Sequence, residues 1–137
     1  MQDYPEKDAK AAIQLQQIFY RMTKYFIENF NTANFLTEAL YHSKATSYFT
    51  NYRVQHFIFV RTLIEQAQRE GDICSDMNSY EIYTTLQSIL IQPIIIKNNI
   101  LQQHKNEPLM DKLKLIDVSS ESSLQKRLRV AFKGLRP

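Results

Sequence analysis

The segment EQAQREGDICSDMNSYEI, residues 65–82, stops one helix and starts another within a few residues. No other stretch constrains the chain as much. A polar helix end runs into Gly71, where a left-handed cap places no Cβ against the preceding turn. Asn78 then stands as the N-cap of the next helix, and Glu81, three residues on, is spaced to return a hydrogen bond to it. Only two glycines and four prolines occur in 137 residues. Sandwiches and barrels need many more turn residues, so this scarcity predicts long helices in a single domain spanning 1–137.

Hydrophobic spacing places the helices. Ala12, Leu15, Phe19, Met22, Phe26 and Phe30 recur at three- and four-residue intervals, with Ile18 and Tyr25 beside them, and predict a helix over 5–30. Asp3 and Glu6 are spaced as a capping box around Pro5. NFNTAN breaks the pattern, and Asn31 or Thr32 can cap a shorter helix to about residue 44, with Phe35, Leu36, Ala39 and Leu40 inward. A helix over 48–70 carries one stripe of Phe57, Val60, Ile64 and Ala67 and a second of Phe59 and Leu63. Two stripes imply neighbours on two sides and a central position.

Ile82, Leu86, Ile89, Leu90, Ile94 and Leu101 predict a helix over 79–103. Pro93 lacks an amide hydrogen and crowds the carbonyl of Ile89, so a kink, not an end, is expected there. The β-branched run IIIK could form a strand alone, but no partner strand is visible. HKNEPLMDKLKLIDVSS reads as a connector with one helical turn after Pro108. Leu124, Leu128, Ala131, Phe132 and Leu135 define a last helix over 120–133, with Lys126, Arg127, Arg129 and Lys133 as a solvated basic surround. Gly134 is expected to end it, with Leu135 folding back on Val130. The result is an all-α bundle of five to six helices.

Recognisable reaction chemistry is scarce. Cys74 is the single cysteine, so neither a disulfide framework nor a zinc quartet is available, and an intracellular, cytoplasmic location is compatible with that. His42, His56 and His104 lack partners at metal-ligand spacing, and Glu38 with His42 reads more simply as a surface pair. No glycine-rich phosphate loop is present. The acidic, polar start MQDYPEKDAK does not resemble a signal peptide, and SILIQPIII is too short to span a membrane. The expectation is a non-enzyme with no cofactor and no membrane association. The net charge of +3 does not by itself point to nucleic acid. Eight Phe and eight Tyr residues are a rich aromatic supply, enough for a core and for the wall of an apolar pocket.

Glu70, Gly71, Asp72, Asp76, Asn78 and Glu81 together resemble the C-terminal domain of TetR-family transcriptional repressors. There a helix ends near E-G, an acidic turn follows, and the next helix builds the dimer. FIENFNTANFLTEAL resembles the family's stretch in which one helix ends and a shorter one begins, although Phe30 stands where Pro is usual. LQKRLRVAFKGL resembles the family's last helix. The similarity covers most of residues 8–135. YHSK, at 41–44, resembles a scrap of the family's DNA-reading helix-turn-helix, but no glycine turn precedes it. The resemblance therefore implies a repressor fragment without its N-terminal DNA-binding part, so that DNA would be met only through that missing domain.

On this resemblance, a small hydrophobic effector enters among the first, third and fourth helices. Met22, Phe26, Phe57, Val60, Tyr83 and Gln87 are the expected lining: mainly apolar, with two hydrogen-bonding tips. The helices over 79–103 and 120–134 are expected to pair with their copies in a homodimer, with Leu86, Leu90, Ile94, Leu124, Leu128, Ala131 and Phe132 in the seam. The contrasting expectation is an all-helical dimeric interaction module with no ligand.

Overall fold

The computed structural model describes residues 8–28, 43–104 and 106–137, with side chains described from residue 54 in the middle stretch. Six α-helices occur among them and no strand: α1 (Ala11–Glu28), α2 (Ser43–Arg69), α3 (Ser79–Leu90), α4 (Gln92–Gln103), α5 (Leu109–Lys114) and α6 (Glu121–Gly134). The all-α expectation holds. α1, α2, α3 and α6 pack as a four-membered bundle, each against the next, with α1 also reaching α3 across it. α4 continues from α3 and carries α5 on its side.

α1 starts later than residue 5. Residues 8 and 9 are turn and bend, and Lys10 supplies the first carbonyl, accepting from Gln14 N at 3.0 Å. The Gln14 side chain donates back to Ala9 O at 2.8 Å. The Asp3–Glu6 box and all but the end of the expected short helix to about residue 44 lie outside the described residues; that end does not hold, since Ser43 and Lys44 belong to α2. Ala11, Leu15, Ile18 and Phe19 bury one stripe of α1. Thr23 continues that stripe; its buried hydroxyl donates to Phe19 O at 2.8 Å, which removes the cost of an unmade bond.

On α2 the first expected stripe is the real one: Val60, Ile64 and Ala67 have no exposed surface. The second holds only in part: Leu63 is half-buried against the core, while Phe59 is 61% exposed. α2 touches both α1 and α3, as expected of a helix with neighbours on two sides.

The turn after α2 is a Schellman cap. Gly71 N donates to Gln68 O at 3.1 Å and Asp72 N to Ala67 O at 3.0 Å. Gly71 has φ +81°, and no other described residue has a positive φ. Gln68 then reaches across the turn, donating to Cys74 O and Met77 O at 3.1 and 2.8 Å. The restart is a full capping box: Asn78 Oδ1 accepts from Glu81 N at 2.9 Å, and Glu81 Oε1 accepts from Asn78 N at 3.2 Å.

Pro93 was expected to kink one continuous helix and not to end it; the structure instead ends one helix and starts another. The helix divides into α3 and α4 around Ile91, whose carbonyl accepts from Ile94 N at 3.0 Å and Ile95 N at 3.3 Å. α5 after Pro108 is longer than a single turn. Ser120 caps α6, its hydroxyl accepting from Ser123 N at 3.2 Å. The close of α6 differs from expectation. Leu135 is right-handed at φ −88° and buried in the core, while Val130 is 61% exposed, so the two do not pack together. A side chain that enters the bundle has no reason to fold back along its own helix.

Candidate functional site

Where α1, α2 and α3 meet, aromatic side chains from all three helices surround a short polar line. Phe19 comes from the buried stripe of α1. His56 and Phe57 lie one turn before Val60 on α2. Tyr83 and Gln87 are four apart on α3 and so share a face. The Phe57 and Tyr83 ring centroids are 5.4 Å apart in an edge-to-face arrangement, and Phe19 meets Tyr83 at 6.1 Å and His56 at 6.3 Å. Tyr80 closes on the outer side of Phe57 at 5.7 Å. Such edge-to-face contacts align ring edges with ring faces and lock the rotamers.

The polar line runs His56–Tyr83–Gln87. Gln87 Nε2 donates to the Tyr83 hydroxyl at 3.0 Å, and that hydroxyl lies 2.6 Å from His56 Nδ1. A hydroxyl carries one proton. With Gln87 as donor, the Tyr83 hydroxyl can give its proton to His56 Nδ1 or accept a second bond from it, and the imidazole tautomer sets which. Burial lowers the His56 pKa and favours the neutral form.

Of the expected lining, Phe57, Tyr83 and Gln87 are brought together here. Met22 and Phe26 are half-buried against the same core. Val60 has no exposed surface and belongs to the buried stripe of α2. Tyr83, at 3% exposed, offers a ligand little beyond its place in the polar line. His56 and Phe19 were missed. His56 was legible as the residue one turn before Val60 on its stripe, a signal that a search for metal-ligand spacing passes over.

The expected dimer seam is corrected more broadly. Leu86, Leu90, Ile94, Leu124, Leu128, Ala131 and Phe132 are all buried within one chain. They hold α3, α4 and α6 in place, so a symmetry copy could touch little of them. The outer faces of α4 and α6 instead expose Ile96 and Val130.

Arg127 is also not part of a solvated basic surround. It is half-buried and donates from Nη1 to Ser123 Oγ at 2.7 Å and from Nη2 to Leu90 O at 3.1 Å. Desolvation lowers its pKa and the charge of Asp117 offsets part of that. Burial, then Asp76, push the Cys74 thiol above its ordinary value, which opposes thiolate formation. Among the described residues, no group of three or more His, Cys, Asp or Glu side chains is placed to hold a metal ion. No helix among them is long and apolar enough to cross a membrane. No family model, curated protein or solved structure matches the chain.

Proposed function

We propose that the chain is the regulatory part of a TetR-like transcriptional repressor, binding a small hydrophobic effector at the α1–α2–α3 junction and forming a homodimer. The observation that carries this reading is the polar line His56–Tyr83–Gln87 inside an aromatic wall. A few hydrogen-bonding groups among large apolar ones are the composition of a small-molecule site. Phe57, Gln87, Met22 and Phe26 keep part of their surface accessible and are the contact residues of the proposal. An aromatic effector would lie against Phe57 and exchange a hydrogen bond with Gln87. The strong stop at Gly71 and the boxed restart at Asn78 fix α2 relative to α3, so a ligand that separates them has a defined element to move. Dimerisation in this reading uses the outer faces of α4 and α6.

The second reading is an all-helical interaction module without an effector. The full packing of Val60 and Tyr83 favours it, since a core closed at both residues leaves less room between helices. A thermal-shift screen with small aromatic and aliphatic compounds separates the two. Effector binding predicts stabilisation by some compounds, reduced in Gln87→Leu. The interaction module predicts a flat response across the screen.

A further inference from the structure

Between α3 and α6 the chain leaves the bundle and returns to it. α4 packs on α3, its neighbour in sequence, and on α5; among the described residues neither α4 nor α5 packs along α1, α2 or α6. Burial divides in the same way. Ile91 belongs to the bundle core and Ile95, half-buried, lies against it; the next described residue in that core is Leu124. Ile94 on α4 and Met110 on α5 are buried, yet stand outside it. Residues 92–116 thus form an arm with packing of its own, and Ile96, Leu109, Leu115 and Ile116 are exposed on it.

The arm is held together from within. Lys97 on α4 donates from Nζ to Ile116 O and, at 3.5 Å, to Lys114 O, which ties α4 to the end of α5. Its neck is equally defined. The entry lies at Ile91, beside the break at Pro93, where Leu90 O is left to a side-chain donor. The exit is Asp117, whose Oδ1 accepts from Ser119 N at 3.1 Å and Ser120 N at 2.9 Å just before α6. Arg127 joins the two sides. Its Nη2 donates to Leu90 O at 3.1 Å and its Nη1 to Ser123 Oγ at 2.7 Å, and that hydroxyl donates on to Asp117 O at 3.4 Å.

We propose that the α4–α5 arm opens as one cooperative unit while the bundle stays folded, and that Arg127 is the clamp that holds its neck closed. Local opening takes place where few buried contacts cross a boundary. Here Ile91, Ile95 and the Arg127 bridge cross it. A hinge absorbs its motion in a few residues at element ends, and Ile91, between two helices, is such a position. Releasing Arg127 from Leu90 O breaks no helix ladder, because that carbonyl has already lost Ile94 N to Ile91 O. The opening needs no effector at the α1–α2–α3 junction, so its test stands apart from that reading.

The test is native-state hydrogen exchange of the full chain, followed amide by amide in low urea. The protected amides of α4 and α5 should share one opening and exchange about tenfold or more faster than the slowest amides of α1 and α2. Arg127→Met should speed arm exchange about fivefold or more. Ser123→Ala, which removes only the tie to Asp117, should speed it by less, and keeps the clamp testable if the first variant does not fold. Ile64→Val, in the bundle core, should speed the slowest α1 and α2 amides about threefold and leave the arm unchanged. A single opening common to arm and bundle overturns the proposal. So does arm exchange unchanged by the Arg127 and Ser123 substitutions, or an arm that speeds up as much as the bundle in Ile64→Val.

Discussion

Arg127 on α6 donates from Nη2 to the backbone carbonyl of Leu90, 3.1 Å away at the last turn of α3. In an unbroken helix that carbonyl would accept from Ile94 N. Ile94 N bonds to Ile91 O instead, beside the break at Pro93. The carbonyl that the break sets free is therefore taken by a guanidinium from a neighbouring helix, near the negative end of the α3 dipole.

Replacing Arg127 should therefore cost stability although it lies among surface basic residues. Arg127→Met leaves Leu90 O without its donor, and the expected loss is about 1–3 kcal/mol. Arg129→Met, at an exposed position on the same helix, should change little. Urea unfolding of the two variants beside the parent chain checks the contrast.

Tyr83→Phe removes the middle of the polar line and leaves His56 Nδ1 and the Gln87 amide without their shared hydroxyl. The ring stays, so packing against Phe57 and Phe19 is kept. A loss of about 1–3 kcal/mol in chemical denaturation is expected from the unmade hydrogen bonds. A Tyr83→Phe chain as stable as the parent would show that the line contributes nothing.

Stability should fall on mild acidification, and His56 gives the sign. Burial lowers its folded-state pKa from the ordinary value of 6.5, so the unfolded chain takes up a proton first as pH drops. The contribution is fully present above that unfolded value and is lost as pH falls through the folded one. His56→Gln should flatten this part of the pH–stability curve, read by thermal melts from neutral pH downward.

At Gly71 the strain is in the backbone alone, since a Cβ there would meet nothing within 4 Å. Gly71→Ala should cost about 1–2 kcal/mol, the ordinary penalty for a side chain in the left-handed region. Gly71→Asn should cost less, because Asn tolerates that region. Thermal unfolding of both variants would rank them.

Much of the fold was legible because its signals are local. The Gly71 stop, the Asn78–Glu81 box and the stripes of α1 and α6 all depend on residues within a few turns. What was misread depended on neighbours. The spacing that puts Leu124, Leu128 and Phe132 on one face cannot say whether that face meets α3 of the same chain or a second copy. Arg127 looked solvated because its acceptor, Leu90 O, is remote in sequence and is freed only by the proline break. In the candidate site, Phe57, Tyr83 and Gln87 were readable from helix faces, whereas the role of His56 required knowing that α2 and α3 meet at Tyr83.

Assembly is open to a pair of substitutions. Leu128 sits in the chain's own core, so Leu128→Glu should unfold it rather than merely divide a dimer. Val130→Glu should leave the fold intact and, if α6 supplies the outer face of a seam, shift the mass seen by light scattering from dimer to monomer. A dimer indifferent to Val130→Glu would exclude that position from the seam.

The central claim is that the α1–α2–α3 junction accepts a hydrophobic small molecule, and a fluorescence titration with anilinonaphthalene sulfonate, an aromatic reporter, tests it most directly. The account predicts saturable binding at one site per chain, weakened about tenfold or more by Gln87→Leu and by Phe57→Ala, while Asp72→Asn has no effect. Non-saturating binding, or saturable binding indifferent to Gln87 and Phe57, would contradict it.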